Sequence, residues 1–315
     1  MTKISIIIRA YNEEQHIGRL LQGISCQKLP EEYSLETILV DSGSTDATVG
    51  IATKMGVTVV KINKEDFSFG RALNLGCSQA NGDILVFVSA HVYPVYEDWL
   101  SQMLIPFHDS KVALVYGRQV GATDSKFSEK QVFYQWFPVT SDFDQKHPFC
   151  NNANCAIRKE FWKEQPYDES LTGLEDLDWA KKIKDKGYKI AYNSDAPIVH
   201  IHNETPKKIK NRYLREAIAM KHIFPQVHFN IFDFISHFFH SSTRDSIEAI
   251  KQGVFFSQLK EIVIFRYMQY LGTYLGHNAK GQITSDLKSR FYYPRKADQK
   301  ELINKESKMP IDYSK

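Results

Sequence analysis

Four cysteines in 315 residues, Cys26, Cys77, Cys150 and Cys155, are too few and too irregularly spaced for a zinc ribbon or a disulfide framework. A reducing compartment suits such a chain. No apolar run approaches the roughly 20 residues a membrane-spanning helix needs. The N-terminus passes straight into Lys3-Ile4-Ser5-Ile6-Ile7-Ile8 with no signal-peptide pattern, so a cytoplasmic protein is expected. No Gly-x-Gly-x-x-Gly follows a strand, which argues against a dinucleotide oxidoreductase. Positive charge is scattered along helices without a recognised binding motif, so no nucleic-acid partner is expected.

What is present is an ordinary core and an uneven charge distribution. A hydrophobic content of 43% supports one large domain with an appendage, or two domains. The net charge of +3 conceals an asymmetry: residues 1–202 carry 21 basic and 26 acidic groups, whereas residues 203–315 carry 19 and 11. The basic part also holds ten of the twenty phenylalanines, including Phe229, Phe232, Phe238, Phe239 and Phe256. Basic charge with aromatics suits an anionic membrane surface, and the same residues would serve a homodimer interface or a second core.

In the first half, short β-rich runs alternate with helical periods. Ile4–Ile8, Thr37–Val40, Val57–Lys61, Ile84–Val88 and Val112–Tyr116 read as strands of a mostly parallel sheet. Asn12 with Gln15 three residues on predicts a capped helix bearing Ile17, Leu20, Leu21 and Ile24 on one stripe. After Phe149 the pattern predicts a short strand, a helix over Leu174–Lys186 and two strands at Lys189–Tyr192 and Ile198–His202. Helices follow Thr205-Pro206, and a lysine-rich loose tail begins at Arg295. The expected divisions are 1–204, 205–294 and 295–315.

The strand Ile84–Val88 ends in Ser89-Ala90-His91, placing an imidazole at the carboxyl end of a buried strand, where open α/β sheets put their ligand sites. In Ile198-Val199-His200-Ile201-His202 the two-residue period sends both histidines to one face, and two such strand ends can share one ion. Arg9-Ala10-Tyr11-Asn12-Glu13-Glu14 and Val40-Asp41-Ser42-Gly43-Ser44-Thr45-Asp46 follow the first two strands. An Asp at such an end can accept from a pyrimidine N–H or a ribose hydroxyl; turn and cap chemistry accounts for the same residues.

With Gly70-Arg71-Ala72-Leu73-Asn74-Leu75-Gly76 and Gly173-Leu174-Glu175-Asp176-Leu177-Asp178-Trp179, the order of these motifs over residues 3–202 resembles family 2 nucleotide-sugar glycosyltransferases. The resemblance implies a GT-A fold, an α/β doubly wound sheet, here followed by a helical region like that of bacterial polysaccharide and rhamnosyl transferases. It implies an inverting enzyme acting on a nucleoside-diphosphate sugar and a saccharide or lipid-linked acceptor, cytoplasmic or on the inner face of the membrane. Donor contacts would come from Ala10, Tyr11, Asn12, Glu13, Asp41, Arg71, Asn74, Ser89 and Ala90. Asp176 would be the base with Glu175 beside it, and Asn152, Asn154 and Trp179 would line the sugar pocket. Relatives place Asp-x-Asp or Asp-x-His after the fourth strand to hold a divalent cation, and here Ser89 stands at the first Asp. His91 with His202, or His200 in its place, would then hold Mn2+ or Mg2+, imidazole suiting a transition ion better. Two other functions compete. A sugar nucleotidyltransferase would want a Gly-rich loop with an Arg/Lys pair after the first strand, which Arg9–Asn12 does not offer. The Ser89 substitution motivates a degenerate sugar-nucleotide-binding protein, against which stands the intact Glu175-Asp176 pair.

Overall fold

A computed structural model describes residues 2–279 together with Ile311 and Tyr313. Apart from those two residues, the expected tail at 295–315 lies outside the described residues, as do residues 280–294. The elements run β1 (Thr2–Ala10), α1 (Ile17–Ser25), β2 (Tyr33–Asp41), α2 (Thr48–Lys54), β3 (Thr58–Lys61), α3 (Phe69–Gln79), β4 (Ile84–Ser89), β5 (Val92–Pro94), α4 (Trp99–Leu104), β6 (Val112–Gly121), α5 (Phe127–Trp136), β7 (Asn154–Arg158), α6 (Lys159–Glu164), α7 (Glu175–Asp185), β8 (Lys189–His200), α8 (Pro206–Ile223), α9 (Ile231–Lys251) and α10 (Phe255–His277).

The eight strands form one sheet in the order β3-β2-β1-β4-β7-β6-β8-β5. Ile4, Ile6, Ile7 and Ile8 are fully buried, as a central strand covered on both faces requires. Cores lie on either side: α1 and α4 pack on one face, α3 and α7 on the other. The sheet is mixed, with β7 antiparallel to β4 and β6, and β5 antiparallel to β8. The two strands expected at Lys189–Tyr192 and Ile198–His202 are one strand, β8. Its pairing with β6 slips between Gly117 and Gln119, and the intervening irregularity gives the strand the look of two in sequence. His202 falls just past its end.

Register places the site. Ala10 pairs with Asp41 and Arg9 with Ser89, so the carboxyl ends of β1, β2 and β4 are level. Val92 of β5 pairs with His200, and the Ile201 N–H donates to the His91 carbonyl at 3.1 Å, which brings the two histidine-bearing strand ends together. One glycine matters here: a Cβ at Gly70 would run into the Asp168 carbonyl, so α3 can approach the 168–169 loop only without a side chain.

The C-terminal helices are joined to this layer through α5. Arg266 of α10 forks onto Asp245 of α9 at 2.7 and 3.0 Å with both side chains buried, and Glu261 of α10 accepts from the Phe127 N–H at 2.8 Å. Thr205 caps α8 and an Asn230/Asp233 capping box starts α9. No helix among the described residues is long and apolar enough to cross a membrane. On the outer side, Phe232, Phe239 and Phe256 are 77%, 62% and 93% exposed.

Candidate active site

The loops after β1 and β2 interlock. Asn12 does not cap α1, whose N-cap is His16 without a side-chain bond. It adopts φ 55°, the left-handed region Asn tolerates, and its Oδ1 accepts from the Thr45 N–H at 2.8 Å while its own N–H donates to Ser44 Oγ at 2.9 Å. The helix signal read at Asn12 is thus a loop-to-loop tie. Asp41 is buried and accepts from the N–H groups of Gly43 and Ser44. Tyr11 lies under the Lys64 ammonium, 4.9 Å from ring centroid to nitrogen. Glu13 turns away from these loops and its carboxylate accepts from His91 Nδ1 at 2.9 Å.

The acid pair opens α7. Leu174 before it takes φ 56°, a strained conformation for a side chain branched beyond Cβ. Asp176 is buried, with Oδ2 accepting from the Asn152 N–H at 2.9 Å and Oδ1 from the Leu177 N–H at 2.8 Å. Burial, and then the neighbouring Glu175 carboxylate, push its pKa up to about 7. Glu175 accepts from Arg9 Nη1 at 3.0 Å. Because Arg9 is the register partner of Ser89, this ion pair sets the acid pair over the end of β4. Asp178 faces elsewhere and pairs with Lys182 at 2.7 Å.

His91, His200 and His202 come together, each offering one ring atom within 4.8 Å of the others'. Each Nδ1 is already engaged with an oxygen: Glu13 for His91, Gln119 at 2.7 Å for His200 and Glu129 at 2.8 Å for His202. A carboxylate only accepts, so Nδ1 of His91 and of His202 carries the proton and Nε2 is the nitrogen left over. His200 Nε2 is buried without a partner. Burial, then the two neighbouring imidazoles, push the His200 pKa well below its ordinary value. For His91, burial works against the charged form and the Glu13 carboxylate outweighs it, raising the pKa. Three imidazoles oriented by hydrogen bonds at the opposite nitrogen, one with an orphaned buried Nε2, form a donor set that fits a divalent transition ion.

Other expected site residues also bond within the protein. Arg71 donates to Glu169 at 2.8 Å and to the Asp66 carbonyl at 3.1 Å. The Asn74 amide bonds the Tyr167 carbonyl, Glu169, the Trp162 indole and the Tyr167 N–H, so both its polar atoms hold the 162–169 segment. Asn154 is fully buried, donating to the Arg118 and Ala196 carbonyls and accepting from Trp99. Trp179, 1% exposed, donates to the Gln165 carbonyl and lies in the core. Asn152 keeps a buried Nδ2 with no partner beside the acid pair. Ala90 is buried and Ser89 half-buried at the strand end.

Residues given no site role in the sequence reading also belong here. Arg9 flanks one side of the Phe69 ring at 4.8 Å, and Arg215 of α8 approaches the same ring at 4.7 Å. Glu129 of α5 and Arg212 of α8 lie behind His202. The Arg9 signal was available, since Arg9 opens the motif at the end of β1; Glu129 and Arg212 stand in no motif.

The chain is 28% identical over 229 residues to the O-antigen chain rhamnosyltransferase RfbN of Salmonella typhimurium, an alignment covering 69% of this chain and 72% of the relative. It is 28% identical to the O-antigen chain rhamnosyltransferase WbaN of Salmonella anatum, covering 58% of this chain and 62% of the relative. Among solved structures it is similar to the mannosyltransferase PcManGT from Pyrobaculum calidifontis in complex with GDP-Man and Mn2+, with TM-score 0.58, 18% identity, and coverage of 85% and 84% of the two chains; that likeness concerns the GT-A fold. The profile of the family described as Glycosyl transferase family 2 matches residues 5–164. Half the chain lies inside that match, and the chain belongs to glycosyl transferase family 2.

Proposed function

We propose that this enzyme transfers a sugar from a nucleoside diphosphate to a hydroxyl of a saccharide or lipid-linked acceptor, with inversion, in the building of a cell-surface polysaccharide. The observation that carries the reading is Asp176: a buried carboxyl, raised to about 7 and set by Arg9 and Glu175 over the end of β4. A base with pKa near working pH is half-prepared to take a proton and still basic enough to hold it. Each Asp176 oxygen uses one lone pair on a backbone N–H and keeps another for the acceptor hydroxyl. As that proton moves to Asp176, the acceptor oxygen bonds to the anomeric carbon and the bond to the diphosphate breaks. Attack from the face opposite the leaving group inverts the centre in one step.

In this reading the base and ribose are met by Asp41 and the Ala10–Asn12 loop, and the diphosphate by the Ser89–His91 strand end with Arg71 near it. Glu13 acts through His91 rather than on the donor. The three histidines would hold a divalent ion, Mn2+ better than Mg2+, which supplies charge neutralisation for the departing diphosphate. The names of the two Salmonella relatives support a rhamnosyl donor and a growing O-antigen-like acceptor. Residues 1–204 carry the donor chemistry, and 205–294 turn the exposed Phe232, Phe239 and Phe256 toward an anionic inner-membrane surface.

The test is a panel of nucleotide sugars with a lipid-linked saccharide, products identified by mass spectrometry and their anomeric configuration by NMR. One donor should yield an inverted glycoside. Retention of configuration, or donor binding without turnover by wild type, overturns the mechanism.

A further inference from the structure

We infer that Glu129 of α5 and Arg212 of α8 are positioning residues for the imidazole centre: together they hold His202 in the tautomer that leaves Nε2 free for a metal. The inference rests on the metal reading above and concerns what makes that site work. Glu129 has a side chain only 2% exposed. Its Oε1 accepts from His202 Nδ1 at 2.8 Å and from Arg212 Nη2 at 3.0 Å, and its Oε2 accepts from the same Arg212 nitrogen at 2.9 Å. Arg212 also reaches Glu204 at 2.8 Å.

The chemistry follows from what each group can donate. A neutral carboxyl could offer its own proton to Nδ1, which would move the imidazole proton to Nε2 and close that nitrogen to a metal. Arg212 Nη2 lies against both Glu129 oxygens, and the Oε1 that also faces His202 accepts from it, which keeps the imidazole proton on Nδ1. Metal-bound histidines ordinarily rely on such a carboxylate behind them. The same helix fixes the rings from the side, since Phe133 of α5 stacks on His200 at 5.8 Å and meets His202 at 5.7 Å.

Glu129, His202 and Glu204 also lie close enough to hold an ion of their own. Arg212 argues against that use. Its guanidinium already sits on both carboxylates, where a cation would meet a fixed positive charge. The group is therefore a clamp on His202. It also gives the C-terminal helices a part in the reaction, because Arg212 reaches the centre from α8, outside the 5–164 family match.

The experiment is a Mn2+ titration of the full chain, read by the electron paramagnetic resonance signal of free Mn2+, with circular dichroism as a check of folding. Glu129→Gln should weaken Mn2+ binding about 10–100-fold, the range for loss of a group behind a metal ligand, and Glu129→Asp should recover part of it. Side-chain 15N shifts of His202 should show the proton moving toward Nε2 in Glu129→Gln. Should that variant fail to fold, Arg212→Lys, which keeps the charge but puts a mobile ammonium in place of the planar guanidinium, is expected to weaken Mn2+ binding several-fold. Wild-type binding with unchanged affinity in the folded variant overturns this inference alone. A wild type that binds no Mn2+ overturns the metal reading and takes this inference with it.

Discussion

Asp176→Asn should remove activity and, in alkaline solution, stabilise the fold. Wild-type Asp176 has its pKa raised from 3.8 to about 7, chiefly by burial and then by Glu175. A folded pKa above the unfolded one means the folded state binds the proton more tightly. That stabilisation is fully present below about pH 4 and is lost as pH rises through 7, roughly 4 kcal/mol in all. Asparagine never ionises and escapes the loss. It bears a different penalty: its NH2 must replace one oxygen that now accepts from the Asn152 or Leu177 N–H, leaving two donors face to face, which costs about 1–3 kcal/mol.

The two effects set a crossing. Near pH 5 the wild type has given up only about 1.5 kcal/mol, so the two proteins are within about 1.5 kcal/mol of each other; at pH 8 the variant leads by about 1–3 kcal/mol. The curves should cross at roughly pH 4.5–6. In a chain of this size that lead is several degrees of melting temperature, about 2–4 °C per kcal/mol. Urea or thermal melts of both proteins between pH 4.5 and 8.5 measure it directly. On the kinetic side, wild-type kcat/KM should fall about tenfold per pH unit below 7, and the variant should lose about 10²–10⁴ in rate. A variant less stable than wild type at pH 8 would refute burial of a charge as the cause. A wild-type profile flat from pH 5.5 to 8.5 would refute Asp176 as the base.

Other outcomes follow from the same contacts. Arg9→Gln leaves Glu175 without its ion-pair partner and removes a charge that lowers the Asp176 pKa, so the midpoint of the kcat/KM profile should move to higher pH; an unmoved midpoint would count against the Arg9 contact. Chelator should abolish transfer, with Mn2+ restoring more of it than Mg2+ at equal concentration, and full activity in chelator would exclude the metal. Asn74→Ala, which strips four contacts from the 162–169 segment, should cost about 2–3 kcal/mol in urea melts with donor KM within twofold of wild type. A large rise in KM would instead make Asn74 a donor contact. Phe232→Ser with Phe256→Ser should reduce sedimentation with anionic vesicles and leave transfer to a soluble acceptor unchanged; loss of a dimer on gel filtration would point to a second copy as the occupant of that face.

How far the sequence could be read depended on whether a residue's partner is local. Strand ends such as Asp41 and Ser89-Ala90-His91 were legible because a buried apolar run and the turn after it lie side by side in the chain, and register then leveled them as expected. The start of α7 was legible for the same reason. Polar side chains pointing across the fold were not. Asn12 looked like a helix cap because cap and loop-tie use the same short amide, and only the position of Thr45, 33 residues on, decides between them. Asn74, Asn154 and Trp179 stand in motifs where the family resemblance implies ligand contacts, yet their bonds run to residues whose proximity is a product of packing. The antiparallel β7 and the single long β8 were hidden likewise, since strand direction is set by neighbours and a register slip in a ladder looks like a break in a run.

The serine at position 89 shows the same division between local and distant information. In isolation it removes a hard oxygen ligand and weakens the case for a metal. Once the fold brings the end of β8 beside His91, the proposed metal site has nitrogen donors to offer instead: His200 and His202 join the cluster, and each of the three rings is held at Nδ1 by an oxygen from a different element, Glu13 after β1, Gln119 on β6 and Glu129 on α5. Exchanging carboxylate for imidazole shifts the preference from magnesium toward a transition ion. It also makes the centre depend on tautomer, which a carboxylate ligand never does. In the proposed metal site, that dependence is the physical reason for a buried Glu129 anchored by Arg212 behind His202.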